Sequence, residues 1–278
     1  MQREASTTDH YTLLDQQLMS RARRYFAWQA RTVKPHLGRR VLETGCGVGN
    51  FTRHLTDRDL VVSMDVVEEC VERNRSHFAR HPNMQFRWLD VQDPSFLDLK
   101  SVRADTVVCL NVLEHVRDDR LALKHMHHVL VPGGKAIFLL PAFESLYGPI
   151  DANLGHFRRY SKGSWRKMAE EVGFRVAESR YSNPIGFAGW WIGARILHRQ
   201  THSAAMIRIA NDLGNAGIHT MHNRAAPAMT HTADDFKTLD GLAEKGRFWR
   251  LDRLERDRHS LLSAQKRKTG VNSPKSRL

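Results

Sequence analysis

Three glycines at alternate positions, Gly45, Gly47 and Gly49, follow an apolar run that ends in an acid, V-L-E, residues Val41 to Glu43. That order predicts a buried strand closing at Glu43, a turn whose bare backbone can approach a ligand closely, and a helix N-terminus behind it. Such a loop suits a nucleotide-containing cofactor. The spacing is G-x-G-x-G, and the position where the dinucleotide fingerprint G-x-G-x-x-G requires its third glycine holds Asn50. The pattern favours S-adenosyl-L-methionine over NAD or FAD; an ordinary tight turn is the competing reading of the glycines alone.

A second apolar run, L-V-V-S-M-D from Leu60 to Asp65, ends in an acid roughly 20 residues beyond the first glycine, where a carboxylate can accept hydrogen bonds from both ribose hydroxyls of an adenosine. The third run, Met84 to Leu89, leads to Asp90 and Val91, an acid and an apolar neighbour suited to an adenine amine and ring face. The fourth, Asp105 to Leu110, gives way to N-V-L-E-H-V-R-D-D, and the fifth, Lys135 to Leu140, follows V-L-V-P-G-G. Five strands alternating with helices predict an α/β fold, a Rossmann-like, mostly parallel sheet flanked by helices.

In this order, V-L-E-T-G-C-G-V-G, Asp65, Asp90-Val91, N-V-L-E-H-V-R-D-D and V-L-V-P-G-G-K resemble the class I SAM-dependent methyltransferases of the small type-11 and type-12 group, over about Val33 to Tyr181. The resemblance implies that Glu43, Gly45, Cys46, Gly47 and Gly49 surround the methionine part of S-adenosyl-L-methionine. It further implies that Asp65, with Val66 beside it, holds the ribose, that Asp90 and Val91 receive the adenine, and that Asn111 and Val112 lie near the methionine moiety. His115 either touches the cofactor pocket or closes a helix start by a hydrogen bond.

The stretch Pro141 to Ser161, P-A-F-E-S-L-Y-G-P-I-D-A-N-L-G-H-F-R-R-Y-S, is too long and polar for a simple connection, and long loops at strand C-termini carry function. Substrate chemistry is expected here. A sulfonium methyl is already electrophilic, so an enzyme chiefly aligns nucleophile, methyl and sulfur and excludes water, effects worth roughly 7–11 kcal/mol. A neutral hydroxyl or amine must also lose a proton, which suits His156, with Asp151 or Tyr160 to orient it. G-H-x-R-R-Y is similar to loops in a subset of these methyltransferases. The competing reading has His156 and Tyr160 locking the loop while Arg158 and Arg159 face solvent. His125 and His128 share a helix face with no carboxylate nearby, so a solvated face and no metal are expected.

Around this centre four regions are expected: an N-terminal helical cap (1–34), the SAM-binding domain (35–183), an apolar lid or subdomain (184–242) and a basic, helical to disordered tail (243–278). In the cap, Leu14, Leu18, Ala22, Phe26 and Ala30 recur at helical spacing over Leu13 to Val33; the helix either covers the cofactor cleft or packs on the sheet edge. A sixth strand is expected over Phe174 to Tyr181, after a helix over Ser164 to Val172 that Gly173 closes. Asn183 to Leu197, with Trp190 and Trp191, suits a substrate lid, shallow peripheral membrane contact or a core, and is too short to span a bilayer. The tail from Ala243 places Phe248, Leu251, Leu254 and Leu262 partly at helical spacing between arginines, and no clean alternating run supplies the antiparallel seventh strand usual in the family.

The chain has 278 residues, 41% hydrophobic, enough for one sizeable core. Its three cysteines show no C-x-x-C pairing, so neither a disulfide framework nor a zinc site is suggested, and M-Q-R-E-A-S-T-T-D-H carries no apolar signal core; a reducing, cytoplasmic setting is expected. A net charge of +13 raises the case for an anionic partner, although a basic run also serves as a solubilising face. The leading function is methyl transfer to a small-molecule, lipid-precursor or saccharide acceptor. A nucleic-acid methyltransferase, or a cofactor-binding module without catalysis, is the alternative; against nucleic acid, Asn111 opens N-V-L-E rather than an N-P-P-Y clamp, and no Pro-Cys nucleophile is present.

Overall fold

A computed structural model describes residues 14, 16–181, 211 and 247–253. Seven strands form one sheet: β1 (Arg40–Thr44), β2 (Leu60–Asp65), β3 (Met84–Trp88), β4 (Ala104–Leu110), β5 (Leu130–Leu140), β6 (Phe174–Tyr181) and β7 (Arg247–Arg253), in the order β3-β2-β1-β4-β5-β7-β6. The five from β3 to β5 run parallel, with Val41 opposite Val61 of β2 and Thr106 of β4. Strand order reverses between β1 and β4, and ligands of open α/β sheets bind at the carboxyl ends of strands at such a switch point.

Alternate residues of these strands feed two cores. Leu42, Val62, Val107 and Phe138 face one, closed by α3 (Asp119–Val129), α5 (Lys162–Val172) and the 3-10 segment Pro94–Val102. Val41, Val61, Val108, Ile137 and Leu139 face the other, with Ala30 and Val33 of α1 (Arg23–Val33) and Val71 of α2 (Glu68–His77). Burial on both faces is why the strands read as continuous apolar runs. The helices begin and end on recognisable chemistry. The Asp118 carboxylate accepts from the Leu121 N–H at 2.9 Å to start α3. The Ser161 hydroxyl accepts from Ser164 N–H at 3.0 Å to start α5, and Gly173 ends it at φ 108°.

Two expectations change. The helix over Leu13 to Val33 is interrupted: residues 16–19 are helical, 20–22 are not, and α1 starts at Arg23. The Ser20 hydroxyl donates to the Gln17 carbonyl at 2.6 Å, a local bond that competes with helix continuation. The helical reading of the tail is also corrected over Arg247–Arg253, which is the seventh strand, antiparallel to both β5 and β6, with Ile137 opposite Arg250 and Val176 opposite Leu251. A slot with a ladder edge on each side outweighs weak local helix spacing, and Phe248 and Trp249 are strand formers. Asn183 to Leu197, and the tail beyond Arg253, lie outside the described residues.

Candidate active site

The Gly-rich turn is held open from four directions. Gly45, Gly47 and Gly49 adopt φ of 69°, 51° and 83°. An added side-chain carbon at Gly45 would meet Val112 at 2.2 Å, and one at Gly47 would meet Gln16 at 2.3 Å. The Gly47 N–H donates to Asp65 at 2.8 Å, so the end of β2 fixes the turn that follows β1. The other Asp65 oxygen accepts from the Val67 N–H at 3.0 Å. From α2, Asn74 donates to the Gly47 carbonyl at 2.7 Å. From the cap, the Gln16 side chain accepts from the Val48 N–H at 3.2 Å while its carbonyl accepts from Asn50 at 3.0 Å. The residue that displaces the dinucleotide glycine thus fastens the cap to the turn. Residue 16 lies on the glycine turn, and α1 packs against the sheet.

At the end of β1, Glu43 is buried and accepts from Ser63 at 2.6 Å and Thr52 at 3.2 Å. Burial pushes its carboxyl up to about 7 against the pull of those two bonds. Burial likewise drives the Cys46 thiol well above its ordinary value, so it lines the turn as an apolar group. Val66 is exposed after β2, and Asp90, after β3, is steadied by the Gln92 N–H at 2.8 Å. Val91 is buried, and its carbonyl lies 2.7 Å from Nδ1 of His125. His125 is therefore a buried support of the Asp90-Val91 loop and does not lie on a solvated face. After β4, Asn111 holds φ 54°. Every expected cofactor residue, including Val112 and His115, lies at the carboxyl ends of the four adjacent strands β3, β2, β1 and β4.

The loop after β5 brings Asp151, His156 and Arg159 to the same edge. Short α4 (Pro149–Asn153) presents Asp151, which is fully buried and receives four hydrogen bonds. They come from Nδ1 of His156 at 2.7 Å, Nε and Nη2 of Arg159, each at 2.9 Å, and the Gly148 N–H at 3.0 Å. Burial alone would raise this carboxyl, but the His156 bond and the Arg159 guanidinium outweigh it and hold the acid below its ordinary range. In a neutral His156 ring this bond to an ionised Asp151 holds the proton on Nδ1 and leaves the lone pair on Nε2. The Phe157 N–H donates to the Glu114 carbonyl at 2.7 Å, pinning the loop to the turn after β4. The His156 ring meets that of His115 edge-on, with centroids 4.6 Å apart.

Beside it Glu114 is 1% exposed, and burial raises its carboxyl to about 7. Burial, then the neighbouring His156, lowers His115 to about 3, so it is neutral at physiological pH. Tyr160 takes no part in orienting His156; its buried hydroxyl donates to Asp119 at 3.1 Å and its ring packs on Trp165. The expectation that Arg158 and Arg159 face solvent is corrected for Arg159, a buried partner of Asp151, while Arg158 pairs with Asp119 at 2.7 Å. Gln16, Asn74, Glu114 and Arg159 were not singled out in the sequence; only the E-H pair in N-V-L-E-H signalled one of them.

The strand order and the parallel five-stranded half of the sheet are those of the class I SAM-dependent methyltransferase fold. The chain belongs to the family described as "Methyltransferase domain", which it matches over residues 15–179. Among curated relatives it is similar to a ubiquinone biosynthesis O-methyltransferase of Idiomarina loihiensis, 31% identical over 102 residues, covering 36% of this chain and 42% of that one. The chain spans under half the length of that relative. The YcgJ protein of Bacillus subtilis shares the fold at a TM-score of 0.53 and 15% identity, covering 83% of this chain and 98% of that one. A structure of the Haloferax volcanii Trm112 activator with a methyltransferase matches at a TM-score of 0.58 and 16% identity, covering 92% and 100%.

Proposed function

We propose that this protein transfers the methyl group of S-adenosyl-L-methionine to a hydroxyl of a small-molecule acceptor, with His156 as the general base. The observation that carries the reading is the Asp151–His156 pair, set by the Glu114 and His115 turn at the end of β4. Glu43 and the glycine turn receive the methionine part, Asp65 the ribose, and Asp90 with Val91 the adenine. Bound there, S-adenosyl-L-methionine would supply an electrophilic methyl group to the acceptor oxygen, the carbon–sulfur electron pair passing to sulfur as that bond breaks. The acceptor proton passes to Nε2 of His156. Neutral His115 adds no charge against the resulting imidazolium, and an ionised Glu114 stabilises it.

A cytoplasmic location belongs to the same reading, supported by Cys46, Cys70 and Cys109, which are all buried and unpaired. No helix among the described residues is long and apolar enough to cross a membrane. The net charge of +13 is the one feature favouring a nucleic-acid acceptor. Incubation with methyl-labelled cofactor, host small-molecule extract and host RNA separates the readings. Label is expected in a small molecule; label confined to RNA sinks the proposal.

A further inference from the structure

We propose that Glu114, His115 and His156 form a binding site for one divalent transition-metal ion beside the cofactor cleft. The inference rests on the reading of this cluster as the acceptor site. One ligand atom from each of the three side chains lies within 4.8 Å of the other two. Ligand atoms about 2.0–2.1 Å from a tetrahedral ion stand about 3.3 Å apart, so closure needs only small side-chain movements.

Two further observations point to an ion. The Oε2 atom of Glu114 is buried, and no hydrogen-bond donor meets it, although leaving a buried carboxylate oxygen unmet is costly. His156 is also tethered through one ring nitrogen, by the Asp151 carboxylate at 2.7 Å. A carboxylate or carbonyl on the far nitrogen is how metal-ligating histidines are oriented, because it fixes the tautomer and aims the other lone pair. Among the described residues Glu114, His115 and His156 are the group of such side chains that comes this close together, and helix α3 contributes none.

Two imidazoles and one carboxylate suit zinc, cobalt or manganese rather than magnesium or calcium, which take oxygen ligands. Three protein ligands leave an open position for the acceptor oxygen. In the metal-free protein Nε2 of His156 is the base. With the ion bound, that lone pair is a ligand, the ion acidifies the coordinated hydroxyl, and its proton leaves to water. The expectation of no metal weighed histidines of one helix, whereas this cluster joins two separate loops.

The test uses the full chain, stripped with chelator and titrated with Co²⁺. Visible absorption saturating at one Co²⁺ per chain, bleached by Zn²⁺ and lost in both Glu114→Gln and His115→Gln, is expected. Absence of that absorption from the wild type, or its retention with unchanged affinity in both variants, overturns the site. Zinc X-ray absorption on the wild type needs no variant: a first shell with two imidazoles supports the assignment, and one with sulfur or without imidazole overturns it. Failure here leaves the base reading intact, because that is judged by methyl transfer in chelator.

Discussion

Asp151 and His156 lie five positions apart yet meet at 2.7 Å, because the single turn of α4 folds the loop back so that the His156 N–H also reaches the Asp151 carbonyl at 2.9 Å. Arg159 closes the carboxylate from its other side. The imidazole is thereby held in one tautomer by a group that stays ionised.

For His156→Ala, assayed in chelator, kcat should fall at least about 10²-fold while S-adenosylhomocysteine affinity stays near wild type. Added imidazole should restore part of the rate, which a merely structural histidine would not allow. Asp151→Ala should differ in kind: it removes the carboxylate that pairs with buried Arg159 and should cost about 3–5 kcal/mol of stability in a denaturant melt.

Removing the carboxylate in Asp65→Ala takes away the proposed ribose acceptor and the partner of the Gly47 and Val67 N–H groups. Calorimetry should show cofactor binding weakened by about 1.5–3 kcal/mol, the range for hydrogen bonds to a charged group. Unchanged affinity in a folded variant would move the ribose elsewhere.

Much of the geometry at these strand ends was legible because its signals are local. The glycines, Asp65 and Asp90 each end or follow an apolar run, and β2 and β6 occupy the residues expected of them. What escaped depends on distant partners. Gln16 and Asn74 act through bonds to the glycine turn, and nothing in R-R tells which arginine turns inward. The strand at Arg247–Arg253 is set by the slot between β5 and β6, which no local periodicity encodes.

Valine at position 47 faces two penalties: φ of 51° is costly for a branched residue, by about 1–2 kcal/mol, and its side chain enters the space of Gln16. The variant should keep its circular dichroism spectrum and lose cofactor binding. Wild-type affinity would mean that the ligand does not lie against this turn.

Glu43 supplies a pH dependence. Its folded pKa of about 7 stands above the ordinary 4.5, so the folded state holds a proton that the unfolded chain has released. The associated stability is full below about 4.5 and is lost as pH rises through about 7, a change of at most about 3 kcal/mol. The cofactor-free protein should therefore melt lower at pH 8 than at pH 5, and Glu43→Gln should flatten that slope. A slope identical in the variant would assign the proton to another group.

The seventh strand gives the sharpest contrast between two truncations. Residues Arg247–Arg253 pair with β5 on one side and β6 on the other, so among the described strands β6 joins the sheet through them. A chain ending at residue 246 loses both ladders and leaves two strand edges unpaired, an arrangement that invites association between chains. It should melt several degrees lower, with aggregation visible by light scattering. Deleting Gln265 to Leu278 spares the strand and removes a segment low in apolar residues, so melting temperature and cofactor affinity should stay within error of wild type. Equal stability of the two truncations would show that β7 contributes nothing to the sheet, whereas a loss of several degrees on the short deletion would show that the tail itself packs on the core.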